Sequence, residues 1–247
     1  MKRKELIAYL LWCFILTWIF FGIRIANSYI EFLNEFAANI VNALGAFMPT
    51  MTVIILLNKY DSINGRRKIY QFVCDFPQKI STYGFLLLFM LWRLSVFIIN
   101  GDMSQARPLY MLAPVILIQL LFQGGFEEPG WRGFLQPYFD KKFPFFISVF
   151  FVSVLWAVWH IPLWFVANTA QSQMSFMIFY AQILINSFTL AAILKVTNSV
   201  VFCMLYHAWG NAVFLIIPFE MNLGIMAGYS LEAAAAIILC LIYSKKQ

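Results

Sequence analysis

Long apolar segments recur along this chain, and they limit its fold more than any other feature. We place them at about residues 6–23, 39–58, 81–99, 109–137, 144–166, 174–194, 199–217 and 222–243. A helix needs about 20 mostly apolar residues to cross a bilayer, where its backbone groups must bond within the segment. The residues are 62% hydrophobic and only 11% charged. The sequence therefore predicts an all-α polytopic membrane protein with about eight transmembrane helices.

The connections between these segments are short, so residues 1–247 are predicted to form a single transmembrane domain. The basic residues cluster in alternate connections and at both ends: Lys2, Arg3 and Lys4; Lys59, Arg66, Arg67, Lys68 and Lys79; Lys141 and Lys142; Lys195; Lys245 and Lys246. With eight crossings, all of these clusters lie on one side of the membrane. The positive-inside rule then predicts a cell-membrane protein with both termini in the cytoplasm. Membrane lipids explain the net charge of +6, and nucleic acid is not a predicted partner.

Neither the N-terminal segment nor the cysteines change this prediction. Residues 20–24, FFGIR, contain no Ala-x-Ala-like cleavage site, so the first segment is interpreted as a helix rather than a signal peptide. The four cysteines are scattered without a C-x-x-C pair, which predicts neither a disulfide framework nor a cysteine metal site.

Several charged and polar side chains lie inside the apolar segments, where inserting one charge costs about 2.5–3.5 kcal/mol. They are Glu127, Glu128, Arg132, His160, His207 and Asn211. Glu128 and Arg132 are spaced i, i+4 and so are able to form an ion pair, and His207 and Asn211 have the same spacing. Pro129 is expected to break the helix beside the two glutamates. Close helix approach is expected at Gly124, Gly125, Gly130 and Gly133.

The depth of these residues follows from helix geometry. At 1.5 Å per residue, Glu127 lies roughly 18–20 Å from Asp140, and His207 lies roughly 18 Å from Lys195. Both therefore reach a level near the middle of the bilayer. His160 reaches it if its helix begins at or below the interface, or tilts. We predict that these residues line a mid-membrane cavity.

Three motifs in this order resemble the CPBP family, which contains the type II CAAX prenyl endopeptidases and the bacterial Abi proteins. They read EEPGWR at residues 127–132, WAVWH at 156–160 and HAWGN at 207–211. The motif-bearing core covers about residues 109–215. The second motif commonly begins with Phe in that family, whereas this chain has Trp156.

The resemblance implies an intramembrane endopeptidase that hydrolyses a peptide bond of a membrane-associated peptide or protein with an activated water. In this interpretation Glu127 is the general base, His160 helps to orient the water, and His207 and Asn211 donate hydrogen bonds to the oxyanion. The roles implied for bacterial relatives are processing of peptide pheromones or bacteriocins, or immunity to them.

The remaining residues of the motifs have structural or alternative roles. Glu128, paired with Arg132, is expected to hold the broken helix in place. Glu127, His160 and His207 also form a two-histidine, one-carboxylate set suited to zinc with an open water position. The expectation is that no cofactor is required, with zinc as the alternative.

Arg93 and Trp156 are candidate substrate-binding residues. Arg93 lies in the third apolar segment and Glu232 in the eighth. Three interpretations of Arg93 follow: it pairs with Glu232, it receives a substrate carboxylate, or it extends outward to the membrane interface while Glu232 marks an interface.

Two other classes of function fit buried Glu, His and Arg residues. One is a proton- or ion-coupled transporter, because such residues also mark ion pathways. The absence of an inverted repeat in the sequence argues against it. The other is a non-catalytic membrane scaffold that keeps these residues for structural reasons.

Overall fold

The computed structural model describes residues 3–60 and 74–244, and all regular secondary structure in those ranges is helical. The α-helices are α1 (Arg3–Ile30), α2 (Glu35–Tyr60), α3 (Ile80–Asn100), α4 (Leu112–Phe122), α5 (Gln136–Asp140), α6 (Phe145–Trp159), α7 (Ala170–Gln173), α8 (Phe176–Thr197), α9 (Val200–Ile216) and α10 (Leu223–Ser244). Short 3-10 helices cover Leu109–Met111, Gly124–Glu127 and Ile161–Phe165, and a π-helix covers Pro129–Leu135.

The described residues contain seven helical segments that are long and apolar enough to cross a membrane. They are Arg3–Ile30, Glu35–Lys59, Ile80–Asn100, Leu109–Asp140, Phe145–Phe165, Phe176–Thr197 and Leu223–Tyr243. Val200–Ile216 is apolar but shorter, at 17 residues. These eight segments coincide with the eight predicted from hydropathy, so the all-α polytopic fold is confirmed and the chain is a multi-pass membrane protein.

The cytoplasmic position of the termini stays a prediction. Six of the basic residues on which it depends lie outside the described part of the chain: Lys2, Arg66, Arg67, Lys68, Lys245 and Lys246.

The fourth apolar segment, predicted over residues 109–137 with a break beside the two glutamates, is indeed interrupted. Helix α4 ends at Phe122, and Gln123 has φ −144° and ψ −133°, outside the helical region. A 3-10 helix and then a π-helix follow before α5 begins. Two successive glycines after Gln123 favour the break, and Pro129 lacks the N–H that a continuing α-helix needs. The predicted break beside the glutamates is therefore present, but it begins earlier in the chain.

The fifth segment is also interrupted. Helix α6 ends at Trp159, and His160 caps its C-terminus with φ −80° and ψ −12°. Pro162 lies in the first turn of the 3-10 helix that follows, Ile161–Phe165. Because proline cannot donate the backbone hydrogen bond that would extend α6, the α-helix ends before it. His160 therefore lies at a helix end rather than inside a helix over 144–166.

By contacts, the chain divides into two compact units, and each is described by itself. The first contains the described parts of Met1–Tyr70 and Glu127–Leu184. In it, α1 packs against α2, and α2 packs against the π-helix. The Thr17 hydroxyl donates to the Gly45 carbonyl at 3.1 Å and accepts from the Trp159 indole N–H at 2.8 Å. These bonds join α1 to α2 and to the end of α6.

The second unit contains the described parts of Gln71–Phe126 and Ile185–Gln247. Helix α9 packs against α3 and α4, and α3 packs against α10. The core of this unit is a cluster of buried apolar residues: Val96, Phe97, Val213, Ile216, Ile217, Ile225 and Tyr229. Because this core lies between α3, α9 and α10, it fixes the helix that carries the third motif.

The contact between α1 and α2 gives a first prediction, at Gly45. A methyl group there would lie 2.5 Å from Phe21 Cε1, whereas one at Gly22 would have nothing within 4 Å. Phe21 is buried against Trp159 and has little room to move. We expect Gly45→Ala to lower the free energy of unfolding by about 1–3 kcal/mol through overpacking. Thermal unfolding of the purified protein in detergent measures this.

Gly22→Ala is the matched control, because it makes the same change within the same helix pair. It should leave stability unchanged or raise it by up to about 1 kcal/mol through helix propensity. Equal stability of the two variants would contradict the close packing of α1 on α2.

Candidate active site

The two glutamates of the first motif lie where the backbone changes from one irregular helix to the next. Glu127 ends the 3-10 helix, and Glu128 is the N-cap of the π-helix. Their side chains are buried, with Glu127 5% exposed and Glu128 fully enclosed. Irregular backbone in a membrane is tolerated where protein surrounds it or where it lines a cavity, and π-helical turns are frequent at functional sites.

Trp156 connects the first two motifs. Its indole N–H donates to Glu127 Oε2 at 2.9 Å, and both residues are buried. The face of the same ring lies 4.6 Å from the guanidinium carbon of Arg132. One side chain therefore binds a carboxylate at its edge and a cation on its face. The sequence assigned Trp156 a candidate role in substrate binding, and it did not predict these contacts.

The ion pair that the i, i+4 spacing predicted is present. Arg132 Nε lies 3.4 Å from Glu128 Oε2, and both side chains are fully buried. The pair spans the first turns of the π-helix, so it links Glu128 at the N-cap to the helix that follows. The two adjacent glutamates therefore have different surroundings: Glu127 has an indole N–H as a partner, and Glu128 has a guanidinium.

His160 lies against the same tryptophan. Its Nδ1 is 2.8 Å from the Trp156 carbonyl oxygen. A carbonyl only accepts, so Nδ1 carries the proton in this hydrogen bond, and in the neutral ring Nε2 is then an acceptor. The imidazole also packs edge-on against Trp159 and Phe179, with ring centroids 4.6 Å and 5.1 Å away. These contacts fix the orientation of the ring.

Gly130 allows the π-helix to lie directly against α2. A methyl group at this position would lie 2.6 Å from Pro49 Cβ and 2.7 Å from the Tyr9 hydroxyl oxygen. The predicted close approach at Gly130 is therefore found. It holds the backbone between Glu128 and Arg132 in a fixed place.

The third motif lies in the second unit, on α9. His207 is 7% exposed, and a methyl group at Gly124 would lie 2.5 Å from its Nε2 and would also overlap the Asn211 amide nitrogen. Glycine at position 124 thus leaves the space into which both side chains extend. The sequence had assigned Gly124 to close helix packing, and the structure shows its backbone beside His207 and Asn211.

Two glutamines that the sequence interpretation missed hold the Asn211 amide. Asn211 Nδ2 donates to Gln119 Oε1 at 3.1 Å, and Gln119 Nε2 donates to Gln123 Oε1 at 3.0 Å. Gln119 is 3% exposed. The sequence signal was two glutamines spaced i, i+4 within an apolar segment. Polar side chains in such a segment indicate a buried site, as the two glutamates did.

Arg93 pairs with Glu232 rather than extending to the membrane interface. Arg93 Nε lies 2.7 Å from Glu232 Oε2, with the side chains 2% and 0% exposed. The outward-facing interpretation of Arg93 is therefore wrong, because its charge is compensated inside the second unit. A role in binding a substrate carboxylate stays a prediction.

The structure thus groups the candidate residues in two sets. Glu127, Glu128, Arg132, Trp156 and His160 lie together in the first unit. His207, Asn211 and Gly124 lie together in the second.

No group of three or more His, Cys, Asp or Glu side chains within residues 3–60 and 74–244 could hold a metal ion. Glu127 and His160 belong to the first unit and His207 to the second. Zinc binding by these three residues therefore stays a prediction, and no chemical step is derived through a metal.

Comparison with known proteins points to one family. Residues 109–213 match a family model described as "Type II CAAX prenyl endopeptidase Rce1-like", and all three motifs lie within that segment. A curated relative, "CAAX prenyl protease 2" of Methanococcus maripaludis, is 36% identical over 56 residues, which is 23% of this chain and 21% of the relative. The aligned part thus spans about a fifth of the relative's length.

The double contact of Trp156 gives a prediction about stability. Trp156→Phe keeps an aromatic face for Arg132 but removes the N–H that binds Glu127, so we expect a loss of about 1.5–3 kcal/mol. Trp156→Leu removes the aromatic face as well, and we expect a further loss of about 2 kcal/mol. Chemical denaturation of both variants in detergent tests this.

The control is Trp12→Phe, because Trp12 is 56% exposed on α1. This change should alter stability by less than about 0.5 kcal/mol. If the Phe and Leu variants at position 156 were equally stable, the contact with Arg132 would contribute nothing.

Proposed function

We propose that this chain is an intramembrane endopeptidase related to the type II CAAX prenyl endopeptidases of the CPBP family. The match of residues 109–213 to the family model and the 36% identity to a CAAX prenyl protease over 56 residues support this proposal. In this proposal it hydrolyses a peptide bond of a membrane-associated peptide or protein. The observation that carries the proposal is the buried Glu127 carboxylate, which Trp156 orients within a membrane-spanning segment. Burying such a group is costly, and charged residues inside membrane-spanning segments commonly mark function.

Glu127 is the proposed general base. The Trp156 N–H binds one carboxylate oxygen and so orients the group. An ionised carboxylate accepts several hydrogen bonds, and in this proposal one of them comes from the attacking water. Glu127 takes a proton from the water as the oxygen attacks the carbonyl carbon of the peptide bond. It then delivers that proton to the leaving amine nitrogen, giving a carboxylic acid and an amine as products.

His160 is the proposed orienting group for the water. With its proton on Nδ1 and bound to the Trp156 carbonyl, the neutral ring presents Nε2 as an acceptor for the second O–H of the water. Because Trp156 binds both Glu127 and His160, this tryptophan sets the direction of both groups. Fixing reactants in this way lowers the entropic part of the barrier.

His207 and Asn211 are the proposed donors to the oxyanion. An asparagine amide has two N–H donors, so Asn211 can bind Gln119 with one and the oxyanion with the other. Gln119 and Gln123 then serve as positioning residues. A donor of this kind typically contributes about 10²–10³ in rate.

The substrate and cellular role are proposed from the resemblance. We place the substrate among membrane-associated peptides, and the role in maturation of peptide pheromones or bacteriocins, or in immunity to them. The proposed topology has both termini in the cytoplasm, with membrane lipids around the helices.

Substitutions of the two glutamates are expected to have different effects, one on cleavage and the other on stability. Glu127→Gln keeps an oxygen that accepts from Trp156 but removes the base, so we expect cleavage to fall by about 10²–10⁴ with little change in stability. Glu128→Gln leaves the Arg132 charge buried without its counter-charge, so we expect a loss of about 3–5 kcal/mol in stability. The assay compares membrane peptides, by mass spectrometry, from cells producing wild type or each variant.

Three outcomes would contradict the proposal. Undiminished cleavage by Glu127→Gln would remove this residue as the base. Ion-coupled uptake that is lost in the same variant would favour a transporter. No peptide difference between wild type and Glu127→Gln, together with unchanged cellular function, would favour a scaffold.

Metal dependence is tested separately. If no cofactor is required, purified protein should contain less than one metal ion per chain and keep its activity after chelation. The measurements are elemental analysis and cleavage of an internally quenched prenylated CAAX peptide before and after 1,10-phenanthroline. Loss of activity that added Zn²⁺ restores would contradict the metal-free proposal.

A further inference from the structure

A buried polar network in the second unit is not used by the proposed mechanism. Arg93 on α3 and Glu232 on α10 form its centre, at 2.7 Å and with side chains 2% and 0% exposed. Both residues lie outside the segment 109–213 that matches the family model. Charged residues inside membrane helices are rare and commonly mark function, so this pair requires an explanation.

Tyr206 on α9 joins the pair. Its hydroxyl donates to Glu232 Oε1 at 2.5 Å and accepts from Arg93 Nη2. Arg93 Nη2 also donates to Asn186 Oδ1 at 3.3 Å, and the guanidinium carbon lies 3.9 Å from the centre of the Tyr229 ring. The network therefore ties α9 to α3 and α10 through one hydroxyl that acts as both donor and acceptor.

Arg93 contacts the same face of α9 at a second point. A methyl group at Gly210 would lie 3.5 Å from Arg93 Nη1, and Gly210 is spaced i, i+4 from Tyr206. Next to this face, the Trp209 indole N–H donates to the Met90 carbonyl at 2.8 Å. Tyr206 and Trp209 of α9 are thus hydrogen-bonded to α3, which restricts the rotation of α9 about its axis.

We propose that the network of Arg93, Glu232 and Tyr206 is a positioning device that sets the directions of His207 and Asn211. In an α-helix successive residues are about 100° apart, so these two residues lie about 100° around α9 from Tyr206 and Gly210. This inference rests on the proposed function, in which His207 and Asn211 donate to the oxyanion. Arg93, Glu232 and Tyr206 act through α9 and are not catalytic residues.

The size of the effect follows from geometry. A side-chain nitrogen about 6 Å from the axis of α9 moves by about 1 Å when the helix rotates by about 10°. A displacement of about 1 Å in a catalytic group can cost about 10²-fold in rate. If the ion pair were purely structural, a loss of rate would come only with a loss of stability. Apolar residues of similar volume often replace a buried pair without loss of stability, so such a replacement would then leave the rate unchanged. Stability and catalysis therefore separate the two explanations.

The first test observes the histidines directly. The chain has only two, so labelled histidine gives two sets of ring resonances, and His160→Gln assigns them. In the double variant Arg93→Met with Glu232→Leu, we expect the His207 resonance to move and the His160 resonance to stay. Tyr206→Phe removes only the hydroxyl and should give the same pattern, which keeps the test available if the double variant does not fold.

Trp92→Phe is the matched control. Trp92 Nε1 donates to the Gly228 carbonyl at 3.2 Å, so it also joins α3 to α10, but it lies outside the network. We expect this variant to leave the His207 resonance in place. A His207 resonance that does not move in the double variant or in Tyr206→Phe would overturn the proposal.

The second test is kinetic and uses the quenched prenylated CAAX peptide. We expect the double variant and Tyr206→Phe to lower kcat by about 10–100-fold with KM unchanged. In an Asn211→Ala background the same changes should cost much less, because the group they position is absent. Wild-type kcat in the double variant would overturn the proposal. If wild type does not cleave this peptide, a prenylated CAAX peptide is not its substrate, and the resonance of His207 decides whether the network positions it.

Discussion

Both units depend on one constraint. Every buried polar group needs a partner inside the protein. Hydrocarbon offers no hydrogen bonds, so a carboxylate or guanidinium in a membrane-spanning helix must be satisfied by its neighbours. In the first unit Glu127 binds the Trp156 indole and Glu128 binds Arg132. In the second, Arg93 binds Glu232. Each partner satisfies a buried group and also orients it, and the proposed chemistry uses that orientation.

The fourth segment departs from the regular helix that this constraint favours. A regular helix would satisfy its own backbone groups, and this segment gives up that regularity at Gln123 and again from Pro129 onward. The glycines at 124 and 130 allow other residues to approach closely: His207 and Asn211 at the first, Pro49 and Tyr9 at the second. Irregular helix and close approach thus occur together, where the candidate residues are most concentrated.

Hydropathy predicted all eight helical segments, because the length of an apolar run is a local property of the sequence. The Glu128–Arg132 pair was predictable for the same reason, since its spacing lies within one helix. The partners of Glu127 and Asn211 were not predictable, because they come from segments 29 and 92 positions away and helix packing alone brings them together. Pairing of Arg93 with Glu232, 139 positions apart, was one of three interpretations, and only packing decides between them. The start of the break at Gln123 was not predictable either, because a pair of glycines permits an irregular backbone without requiring one, whereas Pro129 lacks the N–H that a helix needs.

Trp156 has a consequence for how such a chain can change over time. Its side chain binds Glu127 and Arg132, while its carbonyl binds His160. Phe is common at this position in the CPBP family, which the motifs resemble. A phenyl ring has no N–H to donate. A lineage that exchanged one aromatic for the other would have to supply the carboxylate with a new donor from elsewhere. Position 156 and that replacement donor are therefore expected to covary, even when the two lie far apart in the sequence.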